Sequence, residues 1–248
     1  MPARDLRWDG CLNVRDLGGH ATEDGQTTRF GAVVRADSVR RLSDAGWEAL
    51  VSYGVRRVLD LRFADELAAD PPRELPVEVV HVSLLGDPDP EWWEELNART
   101  LAEPDAAAAT TVVYLALLER FAPNFARALA VVAEAPDGAV VVHCQGGKDR
   151  TGLMVALLLR LAGVPPEDVA RDYAATTANL AEVHDAWIAE ADSDQERRRR
   201  THITASPFEA MRDVLEELEG RYGGAEGYLR AAGVPEEALD RIRARLLG

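Results

Sequence analysis

Between residues 140 and 159 the chain reads VVVHCQGGKDRTGLMVALLL, with a cysteine, two glycines, a lysine, an aspartate and an arginine set between two apolar runs. A thiol attacks only as its thiolate, and a thiolate forms where cations, N–H donors or a helix N-terminus lie close by. Cys144 follows an apolar stretch and His143, and a helical pattern carrying Leu153, Val155, Ala156, Leu157 and Leu159 begins just after Thr151 and Gly152. Gln145 to Arg150 therefore fall where a strand ends and a helix begins, a place where backbone N–H groups lack partners and favour an anion. Gly146 and Gly147 let the chain curl closely around such an anion, and Lys148 adds a cation. Arg150 supplies a planar fork that grips two phosphate oxygens at once. The chemistry that fits is phosphoryl transfer: the Cys144 sulfur attacks phosphorus, and a cysteinyl-phosphate splits hydrolysis into two displacements. Asp149, inside the loop, is the candidate acid for the departing oxygen.

A cysteine five residues before an arginine is a weak signal alone. Strand, His-Cys, paired glycines, Lys-Asp-Arg-Thr-Gly and helix together are specific. A nucleotide P-loop is excluded, because it needs a glycine where Val142 stands and a serine or threonine where Asp149 stands. His143 reads equally as a strand-end residue or as a hydrogen-bonding support of the loop. Thr151 reads as the helix N-cap and as a hydroxyl partner of the sulfur. Two rivals to Asp149 exist in Asp87 and Asp89 of GDPDP (86–90), which could swing over the site.

These residues need a frame that ends several strands on one face. AVVRA (32–36), VRRVLDL (55–61), VEVVHVSLL (77–85) and AVVVHC (139–144) are short β-branched runs separated by helical or turn-rich stretches, the rhythm of a parallel α/β sheet. The expected fold is therefore α/β, a central mainly parallel sheet of about four strands flanked by helices, in a single domain over 1–248. Ser43 and Gly54 bracket a helix that turns Trp47, Leu50 and Val51 inward. The segment 86–111 is a candidate loop or lid. From 164 onward helical patterns dominate, with Gly163 and Pro165–Pro166, a capping box at Ser206-Pro207-Phe208-Glu209, and Gly233 with Pro235 as punctuation. This tail is expected to be a helical cover.

Composition sets outer bounds. The 248 residues carry 28 basic against 43 acidic side chains, a formal charge of −15, which argues against a broad nucleic-acid surface. Two cysteines, Cys11 and Cys144, in a chain this long do not make a disulfide framework, and a reducing cytoplasm fits. No run approaches a membrane span of about 20 apolar residues, and the N-terminus lacks the apolar core of an export signal. His81, His184 and His202 show no metal spacing. Cys11 reads as a small buried hydrophobe, and Arg197 to Arg200 as a solvated helix face or an anion-steering patch. Arg15 and Asp16 brace the site or cap a turn; Asp60 and Arg62 end a strand on the expected active face or simply pair with each other. Oligomeric state is left open.

The arrangement HCQGGKDRTG (143–152) resembles the cysteine-dependent tyrosine phosphatase superfamily, and more closely its bacterial branch of tyrosine and phosphoinositide phosphatases. NVRDLGG (13–19), VLDLR (58–62), DYAAT (172–176) and YGGAEGYLRAAGV (222–234) are similar to other stretches of that family, so the resemblance covers most of the chain. It implies a tyrosine-phosphatase-like fold, with Cys144 as nucleophile, Arg150 as phosphate clamp and Asp149 as general acid. Gln145, Gly146, Gly147, Lys148 and Arg150 would bind the phosphate, supported by His143 and Thr151. The implied substrate is a phosphorylated protein or a phosphoinositide, with no metal or organic cofactor. A catalytically idle phosphate-recognition module and a rhodanese-like sulfur transferase are the competing readings; a binder has no use for a reactive thiol, and the Asp-Arg-Thr-Gly ending favours phosphate.

Overall fold

Strand β5, Ala139–His143, is buried at every residue and runs between two parallel neighbours, β2 (Val33–Ala36) and β3 (Val55–Asp60). A strand covered on both faces must be apolar throughout, which is why AVVVH shows no alternation. The computed structural model describes residues 3–70, 77–87 and 89–248. Its sheet has five strands in the order β1-β2-β5-β3-β4, where β4 is Glu78–His81 and β1 is the two-residue strand Arg15–Asp16, antiparallel to β2. The mainly parallel α/β sheet is as expected, with one edge strand more. NVRDLGG supplies that edge, too short for a sequence pattern to reveal.

Side chains alternate across the sheet. Val33, Leu59, Val140 and Val142 enter the larger core cluster, and Val34, Val58, Ala139 and Val141 the smaller one. The smaller cluster is covered by α1 (Asp44–Ser52), whose N-cap Ser43 accepts a bond from Gly46 N and which buries Trp47 and Leu50. The chain then turns through Gly54, whose φ of +93° suits the only residue without a Cβ. The larger cluster is covered by α4 (Ala106–Arg120), α5 (Ala122–Ala133), α6 (Asp149–Leu161), α7 (Pro166–Asn179) and α10 (Phe208–Tyr222).

Two local expectations differ from what is observed, one at the third strand and one at Ser206, on either side of the candidate loop or lid. The third strand stops at His81 instead of running to residue 85: Val82 N still reaches Asp60 O, but the chain then turns at Ser83 to Gly86. The segment 86–111 contains helix α3 (Pro90–Thr100), capped by Asp89, and the start of α4, capped by Asp105; Pro88 lies outside the described residues. At Ser206 no capping box forms, because α10 starts at Phe208 with Pro207 in the cap position and no side-chain cap bond. The stretch from 164 onward is helical: after α7 come α8 (Ala181–Ala189), α9 (Asp194–Thr204), α10, α11 (Ala225–Ala231) and α12 (Glu236–Leu247). Among the described residues no helix is long and apolar enough to cross a membrane.

Candidate active site

The sheet register places Ala36, Asp60 and His143 side by side at the carboxyl ends of three parallel strands, and Cys144 is the next residue. Such an edge is where open α/β sheets bind ligands. Cys144 is nearly fully buried, and α6 begins five residues later, at Asp149. Thr151 is thus not the N-cap. The helix starts two residues before it, Lys148 takes the cap position without a side-chain bond, and the buried Thr151 hydroxyl has no hydrogen-bond partner among the described residues.

What shapes the loop is a set of bonds to its outer side. Gln145 O accepts from Ser38 N at 3.0 Å, and Gly146 O and Gly147 O accept from Asn13 Nδ2 at 3.1 and 3.2 Å. Gly147 O also accepts from Arg35 Nη2 at 2.7 Å. In a planar trans peptide the N–H points opposite to the C=O, so these carbonyls, held outward, turn the N–H groups of Gly146, Gly147 and Lys148 inward. Gly147 is indispensable: its φ is +66°, and a Cβ there would lie 2.5 Å from Ala36 O. Gly146 is not so constrained, since its Cβ would meet only Leu180 at 3.9 Å.

Behind the loop lies a buried ion network. Asp172 on α7 receives Arg15 Nε at 3.2 Å and Arg35 Nη1 at 2.5 Å, and Arg15 Nη2 bonds Asp172 O at 2.9 Å. Arg15 also bonds Asn13 Oδ1, which ties the loop's outer hook to the same network. Burial alone would push the Asp172 carboxyl up, but the two guanidinium groups hold it well below the usual carboxylate range. Arg15 therefore braces the site. Asp16 does not: it accepts from Gly18 N, Gly31 N and Tyr53 Oη, and so fixes the N-terminal turn. Nothing in the sequence assigns Asn13, Arg35 or Asp172 these roles. The available signal was charge inside apolar patterns, Arg35 in AVVRA and Asp172 in DYAAT.

Of the expected functional residues, Arg150, Asp149, Lys148 and His143 each have a partner for the side chain. Arg150 points both terminal nitrogens at Glu66 of the short helix α2 (Ala64–Ala68), at 2.5 and 3.0 Å, and lies 4.9 Å from the Phe63 ring centre. Burial works against the Arg150 charge, yet the Glu66 bonds prevail and raise its pKa. Asp149 is half-exposed; its Oδ1 accepts from Tyr114 Oη at 2.7 Å and lies 3.3 Å from Lys148 Nζ. Lys148 is largely buried, and its ammonium bonds the carbonyl of Ile203 in the last turn of α9, the negative end of that helix. His143 is fully buried; Nδ1 donates to Cys144 O at 3.1 Å, Nε2 is 3.5 Å from Asp60 Oδ2, and burial lowers its pKa. Its contacts lie on the strand side of the loop. Asp60 and Arg62 form the internal pair, 2.7 Å apart and extended to Asp70 at 2.6 Å, and His81 Nε2 is 2.9 Å from Arg62 O.

Other candidates sit elsewhere. Asp89 caps α3 and pairs with Arg120 at 2.6 Å, while Asp87 is exposed on the preceding turn. Cys11 donates to Ser38 O at 3.5 Å and packs on the smaller core cluster; burial, with Asp37 nearby, pushes its thiol up. The run 197–200 divides: Arg199 and Arg200 pair with Glu196, Arg200 also stacks on Trp187 at 4.8 Å, and Arg197 and Arg198 are exposed. No three His, Cys, Asp or Glu side chains gather into a metal-binding group among the described residues.

The loop 145–148 thus follows a buried cysteine and leads into a helix whose first turn carries Arg150, in a chain that has relatives. The sequence profile of the group described as "Tyrosine phosphatase family" matches residues 6–248. A tyrosine-protein phosphatase of Nostoc commune is 34% identical over 87% of this chain and 74% of its own length. The triple specificity protein phosphatase PtpB of Mycobacterium tuberculosis is 28% identical over the full length of both chains. A putative tyrosine-protein phosphatase of Cupriavidus necator is 26% identical over 92% of this chain and 84% of its own. With the match running through nearly every element described above, the chain belongs to the tyrosine phosphatase family.

Proposed function

We propose that the protein hydrolyses phosphate monoesters through a cysteinyl-phosphate, with Cys144 as nucleophile, Arg150 as clamp and Asp149 as proton carrier. The observation that carries this reading is the outward anchoring of the Gln145, Gly146 and Gly147 carbonyls, which leaves inward N–H groups above a buried cysteine. In the first step Cys144 Sγ forms a bond to phosphorus, the bond to the leaving oxygen breaks, and that oxygen takes the proton of Asp149. In the second, water loses a proton to Asp149 and attacks phosphorus; the P–S bond breaks and the thiolate returns. N–H groups and Arg150 stabilise the equatorial oxygens in both. Gln145, Gly146, Gly147 and Lys148 line the phosphate cradle, and His143 and Thr151 support it.

The substrate class we infer is phosphotyrosine in proteins, extending to phosphoserine or phosphothreonine and to phosphoinositides. Breadth is supported by the mycobacterial relative's name, and by a lysine inside the loop that can meet a second phosphate once it exchanges the Ile203 carbonyl. The test is phosphate release from phosphopeptides, phosphoinositides and nucleotides by the unmodified protein and by Cys144→Ser. Turnover that vanishes in Cys144→Ser while phosphate binding persists is the expected result. Turnover near the unmodified rate in that variant overturns the mechanism.

A further inference from the structure

Asp149 is met from outside the loop by two buried tyrosines. Tyr114 on α4 and Tyr173 on α7 place their hydroxyls 2.8 Å apart, rings edge to face with centroids 5.9 Å apart, and only Tyr114 reaches the carboxylate, at 2.7 Å from Oδ1. A phenol has one hydrogen. Tyr114 gives its hydrogen to Asp149, so the bond between the two hydroxyls is donated by Tyr173, and the chain runs Tyr173 to Tyr114 to Asp149. Both side chains are almost wholly buried, whereas the Asp149 side chain is half-exposed. Burial of two polar hydroxyls is costly unless each finds a partner, and here the partner of the pair is the proposed acid.

We infer that Tyr114, backed by Tyr173, is a positioning residue for proton transfer: it holds Oδ1 of Asp149 so that Oδ2 alone delivers the proton to the leaving oxygen and later accepts one from water. The inference rests on the role proposed above for Asp149. A carboxyl with one oxygen occupied by a donor rotates less and presents its proton in one direction, which is what transfer over hydrogen-bond distance requires. Tyr114 can act only as a neutral donor, since burial and the nearby Asp149 charge push its own pKa well up, and Tyr173 is raised by the same causes. The groups facing Asp149 are Lys148 and Arg150 in its own loop and first turn, Tyr114 from α4, Tyr173 from α7 and His184 from α8. Burial and Lys148 lower the His184 pKa and keep that ring neutral near pH 7, so the Tyr114 bond can be removed without altering the surrounding charge.

A hydrogen-bond donor favours the charged form of the carboxylate that it meets. In Tyr114→Phe the alkaline limb of the kcat/KM profile should move up by roughly 0.5 to 1 pH unit. Turnover of phosphotyrosine peptides should fall roughly 10-fold, with p-nitrophenyl phosphate, whose leaving group needs little help, changed far less. Tyr173→Phe should shift the limb less and in the same direction, and it carries the test if Tyr114→Phe does not fold. In an Asp149→Asn background Tyr114→Phe should add no further loss. An unmoved limb in both tyrosine variants, or an undiminished loss in the Asp149→Asn background, overturns the inference. Equal loss on every substrate in Asp149→Asn alone overturns instead the acid role on which it rests.

Discussion

Arg150 and Glu66 meet end to end, the carboxylate bridging the two terminal nitrogens of the guanidinium at 2.5 and 3.0 Å. A guanidinium has five N–H donors, and this contact takes one from each terminal nitrogen, so the side edge with Nε stays available for two phosphate oxygens. Under the proposed mechanism Glu66 would aim Arg150 without occupying its phosphate-facing edge. Glu66→Gln should keep the fold but loosen Arg150. KM should rise roughly 10-fold with a smaller change in kcat, in line with about 1.5 kcal/mol for one charged hydrogen bond. Steady-state kinetics on p-nitrophenyl phosphate checks this; unchanged KM would show that Phe63 alone suffices to position the arginine.

The Asp172 pair with Arg15 and Arg35 predicts how the protein meets acid. Its carboxyl is depressed in the folded state, so its stabilisation is complete above the ordinary aspartate value of about 4 and is lost as pH falls toward the folded value. The Asp172 contribution, read as the difference in thermal midpoint between the unmodified protein and Asp172→Asn, should be constant from pH 7 to about 5 and then shrink. Asp172→Asn leaves two buried cations without their anion and should cost about 3–5 kcal/mol at pH 7, the gap to the unmodified protein narrowing below pH 4. Calorimetry across that range tests both statements.

The paired glycines should behave differently. Gly147→Ala forces a side chain into the left-handed region against the Ala36 carbonyl, so a loss on the order of 1–3 kcal/mol and of phosphate binding is expected. Gly146→Ala should fold and bind phosphate nearly as before. Urea melts and phosphate titration of the two variants, side by side, decide it.

Thiol chemistry should single out one cysteine. Cys11 is held protonated by burial and the adjacent Asp37, so one equivalent of iodoacetate should label Cys144 only, and phosphate should protect it. Dilute peroxide should inactivate reversibly under the same protection. Mass spectrometry of labelled peptides checks the assignment, and modification of Cys11 first would contradict it.

The contrast between legible and hidden parts of the site follows distance along the chain. The strand, turn and helix from 139 to 161 were readable because their signals are local: an apolar run, paired glycines, then helical spacing. The residues that hold this turn in shape come from far away. Arg35 and Asp172 stand 137 positions apart, Asn13 and Gly147 134, and no periodicity links them. Thr151 shows why local rules also fail: threonine favours caps, but Lys148, Asp149 and Arg150 had already entered helical geometry, leaving its hydroxyl in the interior. Tyr114 carries no signal of its own in the sequence, since a buried phenol and a buried phenylalanine give the same pattern. Glu66 follows the strand motif by a few residues in a helix of a single turn, too short to announce itself.

The alternation along β5 makes the site sensitive to frame as well as to composition. Val140, Val142 and Cys144 share one parity and Ala139 and Val141 the other. Inserting or deleting one residue between Ala139 and Cys144 would leave the strand equally apolar, yet it would rotate the sulfur to the opposite side of the sheet, toward Trp47 and Leu50. Exchange of one of these valines for isoleucine keeps the parity, whereas a change of length by one does not. A two-residue change restores parity but moves the loop by about 6.6 Å along the strand, beyond the reach of Asn13 and Arg35.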